Sequence, residues 1–248
     1  MPHVSEIAPD LYRISIYVSE YNLQFNHFLI KDDEPLLFHT GLRRMFPEVR
    51  DGVAKILDPA RIRWISFSHL EPDECGALNQ WLAAAPDAQV VTGLVGGMMM
   101  NDFADRPPRV LPPDQILTTG KYRFRYHPTP QLPHGWDAGV MFEEQSRLLL
   151  CSDLFFHNGD VPPITQGDIV GPAKESLKAI QQGPLADIIP YTQNTGRILD
   201  RLAELNPATL ATMHGSSFTG NCAQALRDLN TAMKEVLIEP EFSFAIAG

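Results

Sequence analysis

The sequence predicts a layered α/β domain, with sheets inside and helices outside. Three observations carry that prediction. The chain has 248 residues and is 44% hydrophobic, enough material for a substantial buried core. Short apolar runs of strand length alternate with segments of helical period along the whole sequence. No Ser/Gly linker, low-complexity tract or clear repeat divides it, although Pro-rich loops surround residues 107–113 and 161–163, so residues 1–248 are read as one domain.

The opening is β-rich. LYRISIYV reads as a strand, and NHFLIKDDEPLLFHTG as two strands around a turn at Lys31-Asp32-Asp33-Glu34-Pro35. FPEVRDGVAKIL sets Val49, Val53, Ile56 and Leu57 at helical intervals, and Arg63 to Phe67 then forms a buried strand ending at Ser68-His69. Cys75 to Ala85 reads as a helix and AQVVTG as a strand, while GLVGGMMMNDFADRPPRVLPPDQ reads as loop with a short apolar patch. After Gly120, YRFRYHPTP, AGVMFEE and RLLLCSD form further strands. ESLKAIQQ, the stretch around NTGRILDRLAEL, and CAQALRDLNTAMKEVL are helical, with the short strand TLATM between the last two.

Charge and cysteine content exclude several classes. A net charge of −10 with no basic cluster does not suit a nucleic-acid partner. No run of eighteen apolar residues suggests a membrane span, and MPHVSEIAPDLYR lacks the layout of a signal peptide, so the expected location is the cytoplasm. Cys75, Cys151 and Cys222 show no CxxC spacing, which suggests neither a disulfide framework nor a thiolate zinc site.

The candidate chemistry starts at SFSHLEPDECGAL, residues 66–78, where His69, Glu71, Asp73 and Glu74 follow a strand. Imidazole nitrogen with carboxylate oxygen suits iron, manganese or zinc better than copper or an iron–sulfur cluster. Alone, the stretch reads as readily as a charged loop. Three more residues share its setting: His134 in TPQLPHGWDAG precedes a strand, Asp153 closes LLLCSD, and His214 closes ATLATMH. Taken singly, each is an ordinary loop or capping residue. Together, three carboxylates and three histidines are what two cations about 3.5–4 Å apart require, with one carboxylate bridging.

At these residues the sequence resembles a known family. HTG at 39–41 resembles the Asp-Thr-Gly turn of the metallo-β-lactamase fold, and SHLEPDE its HxHxDH motif, with Glu71 at the second histidine. HxExD, then His134, Asp153 nineteen residues later and His214 sixty-one later is similar to the di-iron domain of flavodiiron proteins and the stand-alone oxygen-binding diiron proteins, over essentially the whole chain. The final MHGSSF segment matches as well. The resemblance implies a four-layer αββα sandwich and two non-haem irons. By it, His69, Glu71 and His134 would bind one iron, Asp73 and His214 the other, and Asp153 would bridge them. A carboxylate-rich set stabilises ferric iron; zinc or manganese, as in the zinc-dependent metallo-hydrolases of this fold, is the alternative, and Glu71 argues against it.

The sequence departs from the family pattern twice. Glu74 stands where a histidine commonly follows the Asp, and is either an extra carboxylate ligand or a solvated acid. His39 replaces the Asp of the turn, and either orients a ligand by a hydrogen bond or is a structural loop residue. Tyr191, in DIIPYTQNTG, lies where some relatives carry a tyrosine near the bound gas; packing under a helix start is the alternative. Met98, Met99 and Met100 are read as fillers of core gaps. His27, His127 and His157 are read as structural or surface residues, with His157 closest to the pocket. Cys151 is expected to point the same way as Asp153, as a buried, inert thiol.

The implied function is that of an oxidoreductase reducing O₂ or NO with electrons from a separate donor, such as a rubredoxin-like or flavin reductase protein. A sensor that binds the gas without sustained turnover is the alternative. Flavodiiron proteins continue into a flavodoxin-like domain; here the sequence runs to EFSFAIAG with no phosphate-binding loop after the last helix, so no FMN site is expected. Flavodiiron proteins pair head to tail, which makes a homodimer the expected assembly.

Overall fold

The computed structural model describes residues 1–113 and 115–238. EFSFAIAG, on which the expectation about a flavin domain rests, lies outside them. The first half of the chain contains β1 (His3–Ala8), β2 (Leu11–Val18), β3 (Leu23–Ile30), β4 (Leu36–Phe38), α1 (Phe46–Ala54), β5 (Trp64–Ser66), α2 (Pro72–Cys75), α3 (Leu78–Ala84), β6 (Gln89–Thr92), α4 (Leu94–Phe103) and β7 (Arg109–Val110). Its strands make one sheet in sequential order from β1 to β7. The pairs from β1 to β4 are antiparallel hairpins. From β4 to β7 the pairs are parallel, which requires the helical crossovers that follow β4, β5 and β6.

The second half contains β8 (Ile116–Thr118), β9 (Arg123–Pro128), β10 (Gly139–Glu143), β11 (Leu148–Leu150), β12 (Ile164–Thr165), α5 (Val170–Gln181), α6 (Thr195–Glu204), β13 (Thr209–Ala211), β14 (Ser217–Thr219) and α7 (Cys222–Leu237). Here the sheet order is β12-β14-β13-β11-β10-β9-β8, with β11 and β13 parallel across the α5–α6 crossover.

Side-chain alternation along the strands sorts the core into layers. Phe28 and Ile30 of β3, Leu36 and Phe38 of β4, and Leu148 and Leu150 of β11 pack with Phe124 and Tyr126 between the sheets. The intervening Leu29 and Leu37 face outward, against Val49, Val53, Leu78 and Trp81 of the helices. Leu149 and Leu210 face the other way, against Leu177, Ile198, Leu202 and Leu226. Helices, sheet, sheet, helices is the expected αββα order. Among the described residues no helix is long and apolar enough to cross a membrane.

Four features differ from expectation. Residues 94–103 are helix, not loop. Gly96 and Gly97 lower helical propensity, but a Cβ on Gly96 would meet Thr92 Oγ1 at 2.5 Å, and one on Gly97 would meet Val110 Cγ2 at 2.6 Å. Glycine is what lets α4 lie directly on β6 and β7. The helix expected over 75–85 is two pieces, because Pro72 starts α2 early and the chain re-forms as α3 after Ala77. HVSEIA, with few apolar residues, is a strand because it pairs with β2 across the left-handed Asp10 (φ 57°). Strands β7, β8, β12 and β14, of two or three residues each, are too short to show a period.

Gly97→Val should lower the free energy of unfolding by about 1–3 kcal/mol through overpacking against Val110. Chemical denaturation at unchanged m-value checks this; a neutral result would mean that α4 does not lie on β7 at this distance.

Candidate metal centre

All six predicted ligand residues lie beyond strand ends, where crossover and connecting loops converge. Pro72 fixes the start of α2, so Glu71 keeps extended backbone (φ −140°, ψ 148°) and Asp73 enters the first turn. The segment leaving β5 thus changes from strand to helix within the motif, and this turns His69, Glu71 and Asp73 towards one point. Asp153 follows β11 through Ser152, whose φ of 56° breaks the strand alternation. Cys151 therefore does not share the direction of Asp153: it packs among the outer helices and its thiol donates to the Ala211 carbonyl. His134 and His214 are each followed by a left-handed glycine, Gly135 (φ 85°) and Gly215 (φ 95°).

The six side chains form two groups around Asp153. Its Oδ2 lies 3.2 Å from His134 Nε2 and 3.6 Å from His69 Nε2. Glu71 Oε2 lies 2.9 Å from His69 Nε2 and 3.4 Å from His134 Nε2. Ligand atoms of His69, Glu71, His134 and Asp153 all fall within 4.8 Å of one another. On the other side, Asp153 Oδ1 is 3.4 Å from His214 Nε2, which is 3.2 Å from Asp73 Oδ2. Asp153 Oδ1 and Asp73 Oδ1 are buried without a hydrogen-bond partner, a costly state for a carboxylate oxygen. A cation bound by this hard oxygen and nitrogen donor set would compensate them, so the residues present fit a metal.

Hydrogen bonds hold the ligand loops. His214 Nδ1 donates to the Gln24 carbonyl at 2.8 Å, which leaves Nε2 free to face the two aspartates. The Asn26 side chain donates to the Thr212 and Gly215 carbonyls. Asp137 accepts from the backbone of Leu70 at 2.8 Å, fastening the His134 loop to the His69 loop. His157, read from sequence as structural or surface, is buried and bridges two ligand loops: it accepts from Ser216 N at 3.0 Å and donates to the Phe155 carbonyl at 2.8 Å. A Cβ on Gly215 would meet its ring at 2.3 Å. No sequence spacing marks this role.

Glu74 is neither solvated nor part of the ligand cluster. It is 0% exposed, because the first turn of α2 directs it inward, to the far side of the His69 ring. Its carboxylate is 3.3 Å from His69 Nδ1 and 3.3 Å from His39 Nε2. His39 is fully buried and also lies 3.1 Å from Ser68 Oγ, so it supports the ligand loop. Tyr191 packs at the start of α6, and its hydroxyl donates to Asn230 at 2.6 Å. Met100 fills the core while Met98 is 71% exposed. His27 is buried, and burial lowers it to about 4. A groove of about 840 Å³ runs past Arg13 and Tyr17 and holds none of the six residues. An open cleft of about 600 Å³ lined by Tyr21, Phe25, Leu42 and Arg44 reaches Glu71 and Asp73.

Residues 23–215 match the family described as ODP family beta lactamase. A rubredoxin-oxygen oxidoreductase of Megalodesulfovibrio gigas is 25% identical over 208 residues, covering 82% of this chain and 51% of that protein. A flavo-diiron protein, FprA2, of Clostridium acetobutylicum is 22% identical over 229 residues, covering 88% of this chain and 56% of that one. The chain thus spans about half the length of these curated relatives. The solved rubredoxin oxygen:oxidoreductase of Desulfovibrio gigas superposes with a TM-score of 0.80 at 20% identity, over 94% of this chain and 62% of that one. The fold is that of the metallo-β-lactamase-like domain of flavodiiron proteins.

Electrostatics tie the six residues together even without a cation. Burial alone raises Asp153, but His134, His214 and His69 reverse this and hold it well below the carboxylate range. Burial alone lowers His69 and His214; Glu74, Glu71 and Asp153 bring His69 to about 10, and Asp73 and Asp153 bring His214 to about 9. Both histidines bind protons more tightly folded than unfolded. The stability they contribute is complete below about 6.5 and is lost as pH rises through about 9 and 10. Asp153 acts oppositely, contributing above its ordinary value of 3.8 and losing its contribution as pH falls below that. The thermal midpoint of chelator-treated protein should therefore fall between pH 7 and pH 10, and fall less once a divalent cation replaces the protons. Differential scanning calorimetry across that range checks it.

Proposed function

Because the chain belongs to the ODP family of beta lactamase proteins, we propose that it is a non-haem di-iron protein that binds and reduces O₂ or NO with electrons from a separate donor. The observation that carries this is the division of labour at Asp153, one oxygen towards His69 and His134 and the other towards His214. That arrangement suits a bridging carboxylate between two cations. In this reading His69, Glu71 and His134 hold one iron, Asp73 and His214 the other. The irons, when bound, supply the electrons that the gas accepts.

The chain's own residues do the rest. Tyr21, Phe25 and Leu42 give the cleft an apolar wall beside Glu71 and Asp73, a surface along which a small uncharged gas would reach the site. Glu71 places a carboxylate where a hydrolase of this fold usually has histidine, which favours iron over zinc. The proposed donor is a rubredoxin-like or flavin reductase protein, in keeping with the name of one relative.

Protein purified without oxygen should contain about two irons per chain. Two zincs, with iron absent even after iron-replete expression, would move the reading to a metallo-hydrolase. With a reductant and a small redox carrier, repeated O₂ or NO consumption is expected; one slow oxidation giving a long-lived form would instead identify a sensor. Glu71→His should shift metal preference towards zinc and lower O₂ reactivity by about tenfold or more. Unchanged iron content and reactivity would remove Glu71 from the ligand set.

A further inference from the structure

The two positions at which the sequence departs from its family pattern, His39 and Glu74, touch each other beneath the ligand cluster. Glu74 is the centre of that contact. Its Oε2 accepts from the backbone N–H groups of Ser68 and His69, each at 2.7 Å. Its Oε1 accepts from Ser152 Oγ at 2.9 Å and faces both His69 Nδ1 and His39 Nε2 at 3.3 Å. One buried carboxylate thus reaches the His69 loop, the Asp153 loop and the turn at residue 39.

A neutral histidine that offers Nε2 to a metal carries its proton on Nδ1, and the group facing Nδ1 decides whether that tautomer is held. For His214 that group is the Gln24 carbonyl, which is neutral. For His69 it is the Glu74 carboxylate at 3.3 Å, with Ser152 Oγ beside it at 3.4 Å and itself donating to Glu74 Oε1. A carboxylate partner makes the imidazole a stronger donor than a carbonyl partner does, so the two halves of the site differ. We infer that Glu74 is a positioning residue: its carboxylate faces the Nδ1–H of His69 and holds the proton there, commits Nε2 to the metal, and makes the half-site of His69, Glu71 and His134 the tighter of the two. The inference rests on the two-metal reading above.

Two measurements test it. In zinc-loaded protein, long-range ¹⁵N–¹H correlation spectra should show His69 protonated on Nδ1 and metal-bound through Nε2. Stepwise removal of zinc by a competing chelator should release the Asp73/His214 ion first. Glu74→Gln keeps an oxygen for the Ser68 and His69 N–H groups but turns an amide donor towards Nδ1. In that variant the tighter step should weaken about 10–100-fold while the weaker step moves by less than about twofold. A His69 proton on Nε2, or a folded Glu74→Gln protein with unchanged release, overturns the role of Glu74 and leaves the two-metal reading standing. Failure of the wild-type protein to bind zinc or iron overturns both. Should the variant not fold, the wild-type spectra alone decide.

Discussion

A buried carboxylate whose two oxygens address different histidines has to be held from several directions at once. Asp153 meets His134 and His69 through Oδ2 and His214 through Oδ1, and the loops around it are bent to allow this. Strand geometry would send residues 151 and 153 to the same face; the left-handed Ser152 prevents it. Gly135 and Gly215 do the same work just after His134 and His214, and His39 (φ 67°) and Gly41 (φ 86°) shape the turn beneath. A non-glycine residue in that region costs of order 1–3 kcal/mol. Ser152 and His39 persist there because both also bond into the Glu74 network, through Ser152 Oγ to Glu74 Oε1 and through His39 Nε2 to Ser68 Oγ.

The same bonds register the sandwich. Strand β3 of the first sheet reaches the His214 loop of the second through Asn26, whose N–H and side chain bond Met213, Thr212 and Gly215. Arg13 of β2 adds a bond to the Gly215 carbonyl. In return, Gly139 of β10 donates to Ser68 beside His69. Each such bond satisfies backbone groups that would otherwise be buried alone. The apolar layer between the sheets supplies the driving force, but it is non-directional; these polar contacts set which residues end up opposite one another.

Sequence patterns revealed the parts of this that are local. Strand β11 and the run from Trp64 to Phe67 around β5 are short and almost wholly apolar because they are buried on both faces, so a histidine or aspartate appearing just after them stands out. Five of the six predicted ligand residues follow a strand or lie in the motif that follows one; His134, which precedes β10, gained weight only beside the other five. What stayed hidden depends on partners distant in sequence. Helix α4 was hidden because its glycines are explained only by Thr92 and Val110. The role of His157 depends on a loop that arrives at Ser216, and Glu74 reads as either an extra ligand or a solvated acid because nothing in its own segment shows that His39 and Ser152 close over it.

Charge connects the acid at 71, which fits the family pattern, with the acid at 74, which departs from it. Glu71, Asp73, Asp153 and Glu74 place four carboxylates within or against the cluster. Two divalent cations would bring an equal positive charge, so the centre would be balanced without counter-ions from water. Such a balance requires every acid to be ionised; burial pushes Glu74 up to about 8, and the His69 charge and the backbone N–H donors at Oε2 pull against that rise, as a bound cation would. Histidine at 71 or 74 would instead leave the centre with excess positive charge, tolerable for an ion of fixed charge such as zinc but unfavourable for one that must become more positive. In the proposed two-metal reading the acid at 71 would act by direct contact and the acid at 74 through the His69 ring, and both would shift the balance towards a redox-active metal.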